Sequence, residues 1–379
     1  MLLNRIRLEN LLSFSQANLE LLPLNVLIGA NASGKSNLIR SIHLLRSLPK
    51  GIGTTIAEGG GIRDWVNKRT EGIASIAIWN ASGSKSDTGH EADPDYEICL
   101  RAIGQDFEIP REVLKGAFSR AGSRLNPFGP LVSKDDFLPN LPQAASVLEI
   151  FRSPREEKIW PLAQRLEAIR LYREFQTGPG TPTRNGSSAS AFKGYLSEDG
   201  GNLAGLLDKM RHLGESVKIN DYLHRFYEGF TEAYAYSAGA ITQTFVREKG
   251  LGARNAVSAV ALSDGTLRVL CLLVVLLDPE PPPLACIEEP EIGLHPDAIR
   301  MIAELLVQAS QRTQLIVTTH SPALIDALSD RPESVVVCER DFDGFTQFKR
   351  LKSADLERWL ERYSLGELWQ KGEIGGNRW

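Results

Sequence analysis

A chain of 379 residues, 42% apolar and 24% charged, can hold two domains of about 150 residues each and has the balance of an ordinary globular protein. Its net charge of −4 excludes a whole-molecule positive field of the kind that gathers nucleic acid, although a local basic groove can exist on an acidic surface. Four cysteines (Cys99, Cys271, Cys286 and Cys338) without paired spacing, each in an apolar run, argue against a disulfide framework or a metal module and fit buried, reduced thiols in the cytoplasm.

The opening segment, MLLNRIRLENLLSF, carries charges throughout and lacks the uninterrupted apolar core of a signal peptide. The longest apolar stretch, Val269 to Leu277, falls far short of the roughly 20 residues a bilayer span needs, so a cytoplasmic protein without a membrane partner is expected. LNRIRLENLLSF and ANLELLPLNVLIG read as strands, and KSNLIRSIHLLRSL has apolar residues at helical spacing. A glycine-rich loop, GIGTTIAEGGG, follows; then IASIAIW and YEICLRAIG read as strands flanking a polar loop from Asn80 to Asp95. Residues 1–110 therefore form a sheet-rich N-terminal lobe.

Residues 111–235 read as a mainly helical insertion. REEKIWPLAQRLEAIRLYREF and NLAGLLDKMRHLGESVKINDYLHRFYEGF have helical spacing and are separated by the loop TGPGTPTRNGSSAS. The basic residues Arg152, Arg155, Lys158, Arg165, Arg170 and Arg173 are interspersed with acids, which suits a solvated helix face better than a DNA groove. In residues 236–345 helices alternate with strands that are apolar throughout (LACIEE, QLIVTTH, SVVVCER), the pattern of a parallel sheet covered on both faces. The tail, residues 346–379, holds Trp359, Trp369 and Trp379, half of the six tryptophans. They fit either a partner contact or packing on the tail's own domain.

Four short segments carry chemistry. Residues 29–36, GANASGKS, match G-x-x-x-x-G-K-[ST] between a strand and a helix. Gly29, Ala30, Asn31, Ala32, Ser33, Gly34, Lys35, Ser36 and Asn37 would wrap a triphosphate with backbone N–H groups at a helix N-terminus. Lys35 would reach the β- and γ-phosphates, and the Ser36 hydroxyl would bind Mg²⁺. LACIEEPEIGLHP ends a buried strand in two acids. Glu288, where aspartate is more usual, would hold Mg²⁺ through water, and Glu289 would polarise the attacking water. QLIVTTHSP ends a second strand at His320, placed to contact a γ-phosphate; His295 fits a loop-packing role as well as a site role. LSDGTLR offers Ser263 and Asp264 as capping residues ahead of an apolar helix.

In this order, GANASGKSN, LSDGT, ACIEEPEIGLHP and IVTTHSP resemble the ABC-type ATPase superfamily, in its soluble branch of chromosome-maintenance and recombination-repair ATPases. The closest likeness is to small bacterial AAA-family ATPases related to the overcoming-lysogenization-defect group. IRLENLLSF and YSLGELWQKGEIGGNRW extend the likeness to both ends of the chain.

The resemblance implies an α/β P-loop NTPase fold of ABC-ATPase type, a mixed sheet with an N-terminal antiparallel lobe and a helical insertion. It implies a homodimer with ATP and Mg²⁺ sandwiched between subunits, in which Ser263 and Gly265 donate to the γ-phosphate held by the other copy. It makes Glu289 the catalytic carboxylate and His320 the switch histidine, with Lys35 on the phosphates. It also implies a glutamine linking Mg²⁺ to the attached lobe, for which Gln176 is a candidate. Asp264 replaces the glycine common in transporters; beside a phosphate it would be repulsive, so its side chain is expected to turn away and cap the helix.

The resemblance implies slow ATP hydrolysis, and the first expectation for its use is DNA repair or anti-phage defence. Since no second cluster of acids on strands forms a nuclease constellation, a separate nuclease partner is expected, with DNA as a further ligand. The alternative is an ATP-driven conformational motor that does not act on nucleic acid. A GTP-binding enzyme would carry Asn-Lys-x-Asp, whereas the only NK pair here lies in VNKRT, ending at Thr70.

Overall fold

Apolar and polar residues alternate along Leu3–Leu11 and Phe14–Glu20, and the two strands pair antiparallel so that one face is buried. Ile6 lies opposite Leu19 on one side and Ile78 on the other; Leu8 lies between Ala17 and Ile76. In this computed structural model, residues 1–70, 72–80, 93–121, 124–125, 142–188, 194–252 and 255–376 are described. The chain forms two units, one comprising Met1–Ile169, Val336–Leu351 and the segment from Ile374, the other Arg170–Val335 and Lys352–Glu373.

In the first unit, seven antiparallel strands follow the order Phe14–Glu20, Leu3–Leu11, Ala74–Asn80, Tyr96–Ile103, Asp106–Leu114, Phe118–Ala121 and Arg124–Leu125. The sequence pattern places a mainly helical insertion from Arg111, but the antiparallel sheet continues through Phe118–Ala121 and Arg124–Leu125. Pro110, unsuited to a helix interior, sits instead where the pairing of Cys99–Arg101 with Glu108–Arg111 slips by a bulge. The buried Glu112 carboxylate accepts from Tyr96 Oη (2.7 Å), Ser146 Oγ (2.6 Å) and Val147 N (2.9 Å), tying this sheet to the short helix Val147–Ile150. Burial pushes the Glu112 carboxyl up, against those three donors.

The same unit holds Thr346–Arg350, Val335–Arg340 and Leu24–Ile28 as neighbours in that order. Leu24–Ile28 is buried at every residue and runs into the phosphate loop and the helix Lys35–Ser47. Burial also pushes the thiols of Cys99 and Cys338 up to about 12, and all four cysteines are buried and unpaired by disulfides.

In the second unit, Gln314–Thr318, Leu284–Glu288 and Arg170–Tyr172 lie side by side, all parallel. The third of these strands interrupts what periodicity reads as one long helix. The helix Ile159–Glu167 ends, and Leu171 and Tyr172 are buried beside Cys286 and Ile287. The helix Asp264–Leu277 buries 11 of its 14 residues, as its all-round apolar sequence requires. It packs on Leu203–His212, Ser216–Phe226 and Pro296–Ala309. Each fully buried Leu or Val contributes roughly 1.5–3 kcal/mol, so this helix is a fixed part of the core.

A smaller antiparallel sheet, Ser187–Ser188, Ile241–Glu248 and Phe230–Ala238, borders these helices, with Val257–Ser258 paired to its middle strand. The tail helix Leu365–Gln370 opens with a capping box between Ser364 and Glu367. It docks on the helix Pro322–Asp326 of its own unit, where Gly366 N donates to Asp326 Oδ1 at 2.7 Å. Trp369 is buried by this docking and Trp359 stays exposed; Trp379 lies outside the described residues. No helix among the described residues is long and apolar enough to cross a membrane.

Candidate functional site

The phosphate loop is built from its own backbone. Gly34, at φ +111°, stands at the N-cap of Lys35–Ser47 without a side-chain cap, and a Cβ there would collide with the Thr346 hydroxyl. A Cβ on Gly29 would collide with the Cys338 carbonyl oxygen. Thr346 Oγ1 donates to Ser33 O (2.8 Å) and meets Ser13 Oγ at 2.7 Å, while Asn37 Nδ2 donates to Ser13 Oγ at 2.8 Å. Arg340 Nε donates to Ala32 O at 2.7 Å. Buried Lys35 turns its Nζ back onto Gly29 O (2.7 Å) and Ala30 O (3.1 Å), so the ammonium lies over the loop that its helix closes. Ser36, Asn31 and Ala32 are exposed at the rim. Gly29 to Asn37 thus form one continuous turn at a helix N-terminus with a cation held at its centre, a geometry that suits an anion.

A cleft beside the loop escaped the sequence reading. Ser13, Asn37, Arg40, Asn67, Arg69 and Arg340 are among its lining residues, with Asp64 and Lys68 paired at 2.5 Å. Arg40 is held over the Trp65 ring at 4.8 Å and Arg69 donates to the Asp343 carbonyl, so the basic groups are fixed. Cations scattered from Arg40 to Arg340 in sequence give no local signal.

In the second unit, Leu284–Glu288 and Gln314–Thr318 end together. Glu289 N donates to Thr318 O at 2.9 Å, and Glu289 takes a left-handed conformation (φ +47°) that costs a non-glycine residue about 1–3 kcal/mol. Its Oε1 comes within 3.7 Å of His320 Nε2, both groups about one-third exposed. A third acid fixes this pairing: Glu291 Oε1 accepts from Thr319 Oγ1 and from His320 N, each at 2.7 Å. Glu288 is more buried, and Arg173 Nε approaches its Oε1 at 3.0 Å. Glu291 was not singled out from sequence, and Arg173, expected on a solvated helix face, instead follows the strand Arg170–Tyr172 and pairs with Glu288, because each works through a tertiary contact. His295 is the N-cap of Pro296–Ala309, its Nδ1 accepting from Asp297 N at 3.4 Å, which gives it a structural place.

In the LSDGT segment, the signature of the resemblance described above, Ser263 is the N-cap of Asp264–Leu277, and its Oγ accepts from Thr266 N at 3.1 Å. Arg268 of this helix donates to Ile292 O (3.0 Å), joining it to the loop that follows Glu289. Gly265 packs close to the Gly293 carbonyl, 3.1 Å from where a Cβ would stand. Asp264 does turn aside, but it does not cap. Ser263 already occupies that position, and Asp264 Oδ1 pairs with Arg184 Nη2 at 2.6 Å. The Arg184 guanidinium holds the Asp264 carboxyl below the usual carboxylate range, with a smaller contribution from Thr177.

With this geometry in hand, a family model described as "AAA domain, putative AbiEii toxin, Type IV TA system" matches residues 24–88 and 139–326. No curated protein matches the chain. Among solved structures, the chain is similar to an SMC head bound to the C-winged helix domain of ScpA, with a TM-score of 0.57 and 14% identity over 94% of this chain and 100% of that one. It is also similar to an SMC head with an extended coiled coil bound to the C-terminal domain of ScpA from Pyrococcus furiosus, with a TM-score of 0.54 and 14% identity over 95% of this chain and 98% of that one. At such identity the likeness is one of fold.

Proposed function

The chain belongs to the AAA-domain family described as a putative AbiEii toxin of a type IV toxin–antitoxin system and has a fold similar to SMC heads; on that premise we propose that it is an ATPase that binds ATP with Mg²⁺, closes into a homodimer around the nucleotide and hydrolyses it slowly. The observation that carries this reading is the meeting of Glu289 and His320 at 3.7 Å, beyond the ends of two adjacent parallel strands.

The phosphate loop binds the triphosphate through its backbone N–H groups and Lys35. The cleft lined by Arg40, Asn67 and Arg69 takes the nucleoside end. In the first unit the Ser36 hydroxyl, and in the second the Glu288 carboxylate, oriented by Arg173, are oxygen groups of the kind that would suit a hard cation such as Mg²⁺. When bound, that ion offsets phosphate charge. Glu289 accepts a proton from the attacking water, and His320, oriented by Glu291, donates to the γ-phosphate. Ser263, Gly265 and the N-terminus of Asp264–Leu277 serve the triphosphate of the second copy. A site completed only by association turns over slowly in the single chain, because positioning dominates phosphoryl transfer.

The biological role we propose is DNA repair or anti-phage defence through a separate nuclease partner. An SMC head of the same fold is bound to a ScpA domain, which supports a protein partner on such a head.

Glu289→Gln tests the core of this. ATP turnover is expected to fall at least about 100-fold, and an ATP-bound dimer to accumulate in sedimentation velocity. A variant that stays monomeric at saturating ATP sinks the dimer reading. Co-purification from the native host would then show whether a nuclease accompanies the chain.

A further inference from the structure

Arg184 lies in the short helix Pro182–Asn185, 80 residues before Asp264, and only 9% of it is exposed. The two N–H groups of its Nη1 are shared among three carbonyls of the segment entering the signature, Ala259 (3.0 Å), Val260 (3.0 Å) and Leu262 (2.6 Å). Its Nη2 donates to Asp264 Oδ1, and its Nε to Thr177 O. Gln243 Nε2, on the neighbouring sheet, donates to the Arg184 carbonyl at 3.0 Å and fixes the residue's own backbone. A buried guanidinium is tolerated only where its donors are used. Here most of its acceptors are main-chain oxygens of a single loop, and its one carboxylate partner is 70% exposed.

This arrangement sets the direction of the loop. In a trans peptide the N–H points opposite to the C=O. Drawing the carbonyls of Ala259, Val260 and Leu262 onto one cation therefore turns the N–H groups of Val260, Ala261 and Ser263 to the other side. The Ser263 N–H then faces away from Arg184, next to the opening turn of Asp264–Leu277, where the helix dipole favours an anion.

We propose that Arg184 is a positioning residue of the signature: it fixes the main chain from Ala259 to Asp264 so that Ser263 and the helix N-terminus present donors to a triphosphate. The loop-fixing part stands on the contacts above; the triphosphate part rests on the dimer reading.

Arg184→Lys keeps the charge but replaces a planar fork by one ammonium, which cannot reach the same set of acceptors. Amide exchange in the nucleotide-free chain is expected to quicken at least tenfold across residues 259–267 and to stay unchanged in Pro296–Ala309. Unchanged exchange across 259–267 overturns the loop-fixing role. Asp264→Asn keeps the carbonyl contacts and should alter the same exchange less than twofold. If it loosens the loop as much as Arg184→Lys does, the carbonyl contacts are not what holds it, and the proposal fails.

In a Glu289→Gln background, Arg184→Lys should weaken ATP-driven association at least tenfold while ATP affinity changes less than twofold, a split that general destabilisation would not produce. Association as strong as the parent's, in a background where Ser263→Arg abolishes it, overturns the positioning role. If Ser263→Arg associates as well, the dimer reading has failed, and the exchange measurement alone decides the loop-fixing role.

Discussion

The phosphate loop and the signature loop each bring backbone donors to the start of a helix, Lys35–Ser47 in one case and Asp264–Leu277 in the other. They are held in opposite ways. The first takes its shape from glycines in left-handed or crowded positions and from a lysine folded onto its own turn. The second takes its shape from a serine cap and an arginine brought in from a distant short helix. A turn that must wrap an anion on several sides has to give up side chains where the anion approaches, so its sequence is constrained residue by residue. A loop that offers donors from one direction can keep ordinary backbone angles and be held from behind.

Lys35→Ala is the strongest way to separate the two. Removing the one cation at the centre of the phosphate loop should weaken ATP binding at least about 100-fold, as the loss of a desolvated charge–phosphate contact implies. Fluorescent-nucleotide titration would measure it, with the melting temperature as a control for folding. Affinity within a few-fold of the parent would mean that the backbone alone grips the phosphates, and the contrast with the signature would shrink to geometry.

The glycines give the next sharpest contrast. Gly34→Ala places a methyl group against the Thr346 hydroxyl at φ +111° and should cost about 2–3 kcal/mol of stability as well as nucleotide binding. Gly265→Ala meets only the Gly293 carbonyl at 3.1 Å, and alanine is the better helix former, so its net stability change should be under about 1 kcal/mol. Denaturant melts of both variants would show it; equal losses would erase the distinction between a strained turn and a regular helix start.

The same contrast explains what the sequence made legible. Gly29 to Asn37 could be read because the glycines, the lysine and the helix start that shape the loop lie within nine consecutive residues, although Thr346 and Arg340, which brace it from outside, could not. Ser263 as a cap and Glu289 at a strand end were legible for the same reason. Asp264 was given a capping role that Ser263 fills, since nothing near it in sequence announces Arg184. Arg173 and Glu291 are likewise visible only once their strands are side by side. The fold shows the same split. The alternation of Leu3–Leu11 and the apolar runs of the later strands were plain, but Arg170–Tyr172 becomes a strand through its pairing with Ala285–Ile287 rather than its own pattern. Asp106–Ala121 carries on an antiparallel sheet whose partners precede it.

The smallest expected effect concerns Asp264, and it tests whether the charge or the carbonyl contacts of Arg184 matter more. Because Arg184 depresses the Asp264 carboxyl, the stabilisation from this pair is complete above the unfolded aspartate value of about 4 and is lost as pH falls through the lower folded value. The carboxylate is exposed, so solvent and salt screen it strongly. The difference in melting temperature between the parent and Asp264→Asn should therefore be small and constant from pH 5 to 8. It should narrow with added salt and close as the pH drops well below about 4. A gap that persists into that acid range would show that Asp264 contributes through its shape rather than its charge. A large gap at neutral pH would move the weight of the clamp from the main-chain carbonyls to the ion pair, and the signature loop would then depend on one exposed carboxylate where the phosphate loop depends on glycines and side chains that grip its main chain.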